Sequence, residues 1–188
     1  MDEAELITHA QQGSTAAWET LVSIYQEPVF RMAYLLLGDP DEAEDIAQET
    51  FIRAYYALPR FESALPLRPW LLRIASNLVK NKLRSIGRFF AALNRQLHEP
   101  EKPAASSEDA DLLWQAIRRL EIAHRQALYL RYFMELSESE MAQSLNVAPG
   151  TVKSRLHRAQ AALRKIINQH YPELLPGFEV ESVHHGEA

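Results

Sequence analysis

The amino-acid sequence predicts an all-α protein: two helical domains joined by a flexible linker, with the C-terminal domain ending in a helix-turn-helix. Apolar residues recur at the three- and four-residue spacing of amphipathic helices, and only six glycines interrupt the chain. Residues 98–111 have the Pro, Ser, Ala and Glu richness of a linker. Residues 136–165 read as two helices joined by a short turn, the form of a DNA-reading unit.

These features predict four segments. We expect a first domain over residues 1–95, a linker over 96–108, a second domain over 109–170 and a tail over 171–188. From Tyr171 onward the tail carries four Glu and no Lys or Arg and has little apolar patterning. We therefore expect the tail to be loosely ordered.

In the first domain, helices are predicted over residues 2–12, 14–37, 40–58 and 69–90. Gly13 and Gly38 end the first two helices, since glycine accepts the backbone conformation that follows a helix. Asp39 has the side chain of an N-cap, and Pro40 suits the first position of the third helix. Residues 59–69 contain three prolines and are predicted to form a loop.

In the second domain, two helices over residues 109–121 and 123–134 should build a small core beneath the helix-turn-helix. Ser137 and Glu140 have the spacing of a capping box, which starts the first helix of that unit. Pro149 marks the start of the second helix, whose exposed face is basic and free of acidic residues. Such units also serve as packing modules, so this pattern alone leaves both roles open.

The charge distribution separates an acidic region from two basic ones. The net charge is −5, yet residues 1–50 hold eleven Asp or Glu and one basic residue, whereas 63–98 hold seven basic residues and no acid. Residues 141–171 also lack acids. Because only the local surface meets the phosphates, this asymmetry is compatible with nucleic-acid binding and suggests two kinds of partner.

The composition excludes several classes of protein. The chain contains no cysteine, which excludes disulfides, thiolate metal sites and a cysteine nucleophile. The acidic, polar start is unlike a secretory signal, and no apolar stretch approaches the 18 residues of a membrane span. We therefore expect a cytoplasmic protein that is not inserted in a membrane. The sequence shows no catalytic motif, metal site or cofactor site.

Both halves of the chain resemble bacterial RNA polymerase sigma factors of the extracytoplasmic-function (ECF) type, in the sigma-70 family. Residues 43–55, AEDIAQETFIRAY, resemble the helix that grips the polymerase clamp. Residues 68–84, RPWLLRIASNLVKNKLR, are similar to the helix that opens and reads the minus-ten element. Residues 130–165 look like the domain that reads the minus-thirty-five element. The match covers about residues 1–168 in the family's order.

This resemblance implies three sets of contact residues. The β′ clamp of polymerase core would be bound by Asp45, Gln48, Glu49 and Arg53. The melted minus-ten strand, with one base flipped into a pocket, would be bound by Glu62, Ser63, Trp70, Arg73, Asn77, Lys80, Asn81, Arg84 and Arg88. The major groove or phosphates of the minus-thirty-five element would be bound by Thr151, Lys153, Ser154, Arg155, His157 and Arg158. For Trp70 alone, a place in the core is the favoured interpretation.

The resemblance also implies partners and a location. The partners would be RNA polymerase core, through its β′ clamp and β flap, double-stranded and melted promoter DNA, and an anti-sigma factor that could hold the protein at the inner face of the membrane. Three residues depart from the family pattern. Glu121 and Ala148 stand at helix starts where the family has Pro and Ser or Thr, and Asn81 replaces a common Asp.

Two other functions fit parts of the sequence. A two-domain regulator would use residues 1–95 as a sensor and the second domain as a dimeric DNA reader. It requires an apolar ligand pocket and a dimer helix, and the basic segment 63–98 argues against both. A metal-binding or enzymatic helical protein would need preorganised ligands. The nearest candidate ligands, in the terminal tail, are Glu181, His184, His185 and Glu187.

Overall fold

The computed structural model describes the backbone of residues 2–93 and 108–177, and the side chains of residues 2–85 and 112–174. Within these ranges every regular element is helical, which confirms the predicted fold class. The first domain contains α1 (Glu3–Gln11), α2 (Thr15–Leu37), α3 (Pro40–Ala57) and α4 (Leu67–Leu93). The second contains α5 (Glu108–Arg118), α6 (Ile122–Leu128), α7 (Glu138–Leu145) and α8 (Pro149–His170).

Local capping explains where the helices of the first domain begin and end. The Asp2 carboxylate accepts from the Glu5 N–H at 2.8 Å, and the Glu5 carboxylate accepts from the Asp2 N–H at 2.9 Å. Gly38 ends α2 with a φ of 79°, a conformation that favours glycine. Asp39 then accepts from the Glu42 N–H at 3.0 Å, ahead of Pro40. The predicted boundary between α2 and α3 is confirmed.

Helix α2 forms the centre of the first domain, because α1, α3 and α4 all pack against it. Its inward side contributes Leu21 and Met32, and α4 contributes Leu71 and Leu72, all essentially inaccessible to solvent. Burial of this size is the main stabilising contribution to such a domain, at about 25 cal/mol for each Å² of apolar surface removed from water.

The loop before α4 is shorter than predicted. A 3-10 turn occupies Leu58–Arg60, and α4 begins at Leu67 with Pro69 in its first turn, a position that proline tolerates. The Gln11 side-chain amide donates to the carbonyl oxygens of Leu58 at 2.9 Å and Phe61 at 2.7 Å. This side chain therefore ties the loop to α1.

The helix-turn-helix forms as predicted. Ser137 and Glu140 make both hydrogen bonds of a capping box at the start of α7. Asn146 ends α7 in the left-handed region with a φ of 53°, and Pro149 opens α8. The helix preceding this unit differs from the prediction, because α6 passes into a π-helical turn at Tyr129–Phe133.

The beginning of the tail is packed, contrary to the expected loose order from Tyr171. Tyr171 and Leu174 are buried, and a 3-10 turn spans Pro172–Gly177. The Arg119 guanidinium lies 5.6 Å from the centre of the Tyr171 ring, a distance at which a cation and an aromatic ring attract. Residues 178–188 and the linker residues 94–107 lie outside the described residues.

Candidate protein- and nucleic-acid-binding surfaces

One long side of α3 carries the residues assigned to the polymerase clamp. Asp45, Gln48 and Arg53 are exposed and Glu49 is half-buried. Arg53 Nε donates to Glu49 Oε1 at 2.6 Å, and Gln48 Nε2 donates to Glu44 Oε1 at 3.3 Å. These bonds link neighbouring turns of one helix, so they orient the side chains without tying them to another element.

An apolar groove of about 1000 Å³ runs between α2 and α3, with Gln48 on its wall. It is lined mainly by aromatic and aliphatic side chains, among them Trp18, Phe30, Phe51, Ile52 and Tyr55. Ile52 and Tyr55 are each about half exposed, at 53% and 50%. Exposed apolar side chains around a groove are typical of a protein-binding surface. Ile52 and Tyr55 were not predicted as site residues, although large apolar residues beside the polar stripe of α3 are a visible signal in the sequence.

The residues of α4 that the resemblance assigns to the minus-ten strand differ in their exposure. Arg73, Asn77, Asn81 and Arg84 are exposed, whereas Lys80 is half-buried. Burial lowers the pKa of Lys80, and the positive charges of Arg155 and Arg84 lower that pKa further. Lys80 is thus less exposed than Arg73, Asn77, Asn81 and Arg84. The side chain of Arg88 lies outside the described residues.

A second pocket, of about 620 Å³, combines aromatic rings with arginines at the start of α4. Its lining includes the predicted residues Arg53, Glu62, Trp70 and Arg73 together with Tyr56, Arg60 and Phe61. The rings of Phe61 and Trp70 lie 4.7 Å apart at an angle of 43°. Trp70 is half-buried, so it belongs both to the edge of the core and to the pocket wall.

Three residues of this pocket were missed by sequence reasoning: Tyr56, Arg60 and Phe61. Tyr56 is 79% exposed, which is unusual for an aromatic side chain on a helix. The adjacent Arg60 and Phe61 offered a visible cue, a basic and an aromatic residue together in a loop. Ser63 is half-buried and does not line the pocket.

The second helix of the helix-turn-helix presents a basic face opposite its core face. Val152, Leu156 and Ala159 are buried. On the other side the predicted contact residues are exposed or half-exposed: Thr151, Lys153, Ser154, Arg155, His157 and Arg158. Within the described residues no carboxylate forms an ion pair with this face. The arrangement suits contact with phosphates and base edges in a major groove.

A further apolar groove, of about 610 Å³, lies on the second domain between α5, α6 and α8. Its rim includes Tyr132 and Phe133, which are 55% and 38% exposed. The Gln160 amide donates to the Tyr132 hydroxyl at 2.6 Å and holds that ring at the rim. The helix over residues 123–134 was expected to contribute to a small core, whereas Phe133 lies at the surface, in ring contact with Trp114 at 5.1 Å.

The described residues contain no group of three or more His, Asp or Glu side chains that could hold a metal ion. None of the helices that the structure describes is long and apolar enough to cross a membrane. The tail residues Glu181, His184, His185 and Glu187, considered above as candidate ligands, lie outside the described residues.

Two helical domains, the second with a helix-turn-helix, define the fold of a two-domain transcription factor. Residues 21–89 match the family model of sigma-70 region 2, and residues 110–163 match that of sigma-70 region 4. The chain belongs to the sigma-70 family and is an ECF-type RNA polymerase sigma factor, a transcription initiation factor rather than an enzyme.

Two sigma factors from other bacteria are similar in sequence to this chain over most of their length. The ECF RNA polymerase sigma factor SigW of Bacillus subtilis is 34% identical over 174 residues, which cover 85% of this chain and 93% of SigW. The RNA polymerase sigma-H factor of Pseudomonas aeruginosa is 33% identical over 180 residues, which cover 88% of this chain and 93% of that relative.

Two solved structures of sigma factors are similar in fold to this chain. The sigma factor RpoE from Bartonella quintana, in complex with the anti-sigma factor NepR, superposes with a TM-score of 0.68 at 25% identity, covering 80% of this chain and 96% of RpoE. CnrH, in complex with the cytosolic domain of CnrY, has a TM-score of 0.68 at 23% identity, covering 89% of this chain and 98% of CnrH, and it supports the fold.

Proposed function

We propose that this sigma factor binds RNA polymerase core and directs it to promoters by reading two elements, minus-ten with α4 and minus-thirty-five with α8, and that it assists promoter melting. The observation that carries this proposal is the pocket of Phe61 and Trp70 beside Arg73, next to the exposed basic face of α4. Aromatic rings with adjacent arginines are suited to an unstacked base and its phosphates.

Melting would follow from capture of an unpaired base. Extracting a base from the stack costs a few kcal/mol. Stacking on an aromatic side chain is worth about 1–3 kcal/mol per base, and basic residues add contacts to the phosphates. The pocket between Tyr56, Phe61 and Trp70 offers such rings, and Arg73, Asn77 and Arg84 lie exposed along the same helix. The predicted minus-ten contacts Glu62, Ser63, Lys80, Asn81 and Arg88 stay part of this proposal.

The upstream element would be read by α8. Thr151, Lys153 and Ser154 lie in its first turns, where a recognition helix contacts base edges, and His157 and Arg158 follow one turn later. Arg158 Nε donates to the carbonyl oxygen of Ser154 at 3.2 Å, so its guanidinium has four further N–H donors for DNA.

The polymerase clamp would bind the polar side of α3 and the adjacent groove. Gln48 lies on the groove wall, next to the half-exposed Ile52 and Tyr55. In an interface of this kind the buried apolar groups provide affinity, and the polar rim fixes the orientation of the partner. Asp45, Glu49 and Arg53 form part of that rim.

The groove on the second domain, with Tyr132 and Phe133 at its rim, would bind the β flap of polymerase. We further propose that an anti-sigma factor holds the protein inactive in the cytoplasm until a signal arrives, and that it can do so at the inner face of the membrane. The complex of the similar RpoE with its anti-sigma factor supports this regulation.

The test is transcription reconstituted from purified bacterial core polymerase, genomic fragments and this protein. Discrete new transcripts that share paired upstream elements are expected. Phe61→Ala should prevent opening on duplex promoters and spare a promoter with a pre-melted minus-ten region, since the base no longer has to be extracted. Arg158→Ala should weaken initiation at promoters that depend on the upstream element.

Gln48→Ala combined with Glu49→Ala should lower the affinity for core polymerase without loss of helical content. A matched control is Gln12→Ala, an exposed residue directly after α1. Unchanged affinity of the double variant would remove α3 from the interface. If no transcripts appear and the protein alone binds duplex DNA as a dimer, the two-domain regulator is the correct interpretation.

A further inference from the structure

The loop of residues 61–66, the minus-ten loop, is held at both ends by helix α1. At its start, the Gln11 amide donates to the carbonyl oxygens of Leu58 and Phe61. At its end, Glu3 Oε1 accepts from the N–H of Leu67 at 3.0 Å. Leu67 is the first residue of α4, and the first N–H groups of a helix have no acceptor within it. Glu3 therefore caps α4 from another helix.

The carboxylate of Glu3 joins three helices. Its second oxygen, Oε2, accepts from the hydroxyl of Tyr25 on α2. Burial of Tyr25, its bond to Glu3 and the charge of Glu3 all raise the pKa of Tyr25, so the hydroxyl keeps its proton and remains a donor. The two bonds of Glu3 span 22 and 64 positions of the chain. Glu3 thus differs from Glu5, whose carboxylate bonds to a backbone N–H three positions away.

Helix α1 is firmly packed, which suits it as an anchor for the loop. Its inward side consists of Leu6, Ile7 and Ala10, all buried, and the helix packs against α2. Glu3 and Gln11 lie eight positions apart, which is about 12 Å along a helix at 1.5 Å per residue. One packed helix therefore holds the two ends of the loop at a fixed separation.

The two held positions determine where the rings of the base pocket lie. The bonds from α1 reach the backbone of Phe61 itself and that of Leu67, about one turn ahead of Trp70. The rings of Phe61 and Trp70 lie 4.7 Å apart in the pocket wall, and Glu62 and Leu65 of the loop also line the pocket. Because the loop is held before DNA arrives, capture of a base does not have to supply the entropy cost of ordering it.

The middle of the minus-ten loop faces solvent. Glu62, Ala64, Leu65 and Pro66 are exposed, and the Leu65 N–H donates to the Glu62 carbonyl oxygen at 2.9 Å, a bond within the loop itself. The bonds from α1 therefore join the ends of a largely exposed loop to the core of the first domain.

We propose that Glu3 is a positioning residue for promoter melting, which together with Tyr25 and Gln11 holds the minus-ten loop in the shape that receives the unpaired base. Helix α1 precedes the residues matched to sigma-70 region 2, so this role adds a further element to the site. The hold on the loop stands on the hydrogen bonds described above, whereas its effect on melting rests on the proposed function of the pocket.

Amide hydrogen exchange of the free full-length protein, followed by NMR, tests the hold on the loop. In Glu3→Ala the N–H of Leu67 should exchange about tenfold faster, because it loses a charged acceptor. Glu3→Gln should keep the slow exchange, since its amide oxygen can accept from Leu67 and its NH2 group can donate to the Tyr25 hydroxyl. An unchanged exchange rate in Glu3→Ala would overturn the proposal.

Permanganate reactivity of a promoter that the unmodified protein opens with core polymerase tests the effect on melting. Glu3→Ala should open this promoter about tenfold more slowly, whereas Glu3→Gln should restore a near-normal rate. A pre-melted minus-ten region should remove the difference, and the affinity for core polymerase should not change. Tyr25→Phe, which removes a single oxygen atom, should slow opening less and should add nothing to Glu3→Ala, because both act through the same carboxylate.

Two controls separate positioning from a general loss of stability. Ile7→Val removes a buried methyl group from α1 and lowers stability without touching the loop. Glu19→Ala removes one exposed negative charge from α2. Both variants should open the promoter at the normal rate, and circular dichroism confirms that each variant is folded.

The outcomes distinguish this role from the proposed function. Faster exchange at Leu67 with a normal rate of opening would overturn the positioning role, as would an equal slowing by Ile7→Val. If the unmodified protein opens no promoter, the proposed function fails and the positioning role fails with it, whereas the exchange rates still decide whether Glu3 holds the loop.

Discussion

Helix α8 starts without a side-chain cap. The substitution Ala148→Ser therefore tests how much an N-cap hydrogen bond would stabilise this helix. Ala148 has extended backbone angles, φ −65° and ψ 148°, as an N-cap residue should, but its methyl group accepts no hydrogen bond. Pro149 has no N–H, and the Thr151 N–H donates to the Ala148 carbonyl oxygen at 2.9 Å. A serine hydroxyl at position 148 could accept from the N–H of Gly150 or share that of Thr151.

The expected gain follows from known N-cap substitutions. Replacing a capping serine by alanine typically costs about 1 kcal/mol, so Ala148→Ser should stabilise the second domain by that amount. Ala148 is exposed, so the added hydroxyl meets no packed side chain. For a domain of about 60 residues this corresponds to a rise in Tm of about 4–8 °C.

Thermal unfolding followed by tryptophan fluorescence measures this change. With Trp18 and Trp70 replaced by Phe, Trp114 is the remaining tryptophan and reports on the second domain, where it contacts Tyr129 and Phe133. The matched control is Ala161→Ser, in the exposed middle of α8, where serine should be slightly destabilising.

The two alanine-to-serine substitutions should therefore shift Tm in opposite directions. If Ala148→Ser leaves Tm unchanged, or lowers it as much as Ala161→Ser does, the missing N-cap hydrogen bond does not reduce the stability of α8. The reasoning from the backbone angles of Ala148 would then be refuted.

Three further outcomes are expected. Ser137→Ala should cost about 1 kcal/mol of stability by removing a capping box. Hydrogen bonds from Ser137 lower the pKa of Glu140, so this stabilisation is present above about pH 4.3 and is lost as the pH falls through the folded-state pKa. In urea unfolding, the substitution should therefore lower the free energy of unfolding less at pH 3 than at pH 7. Gln11→Ala should loosen the minus-ten loop and slow promoter opening, measured by permanganate reactivity, with Gln12→Ala as control; equal rates would show that the loop needs no such tie. Leu71→Ala, at a site 1% exposed, should cost about 2–5 kcal/mol, and a loss below 1 kcal/mol would contradict the assigned core.

Much of the fold follows from local interactions that a sequence displays. The boundary at Gly38 and Asp39 and the capping box at Ser137 agree with the structure, because each depends on residues within four positions of one another. The π-helical turn at Tyr129–Phe133 was not predicted, since its apolar spacing resembles that of an ordinary helix. The packing of Tyr171 and Leu174 was also missed, because two isolated apolar residues in an acidic tail show no period.

The candidate sites likewise include residues that the sequence could identify and residues that it could not. The faces of α3 and α8 could be assigned from the sequence, since each set of side chains lies on one helix at helical spacing. The aromatic–arginine pocket could not be assigned in full, because Tyr56, Phe61 and Trp70 come from the end of α3, the loop and the start of α4. Their meeting depends on how α3 and α4 pack.

The sequence by itself determined that this protein is helical and that its acidic and basic regions are separate, because helical periodicity, capping and charge are read from near neighbours. Its motifs, taken in order, resemble those of a sigma factor. Only the tertiary structure decided which distant residues meet: Arg68 with the Met134 carbonyl, and Gln11 with the carbonyl oxygens of Leu58 and Phe61. Such contacts arise from the burial of apolar surface between whole helices, which no single stretch of sequence specifies.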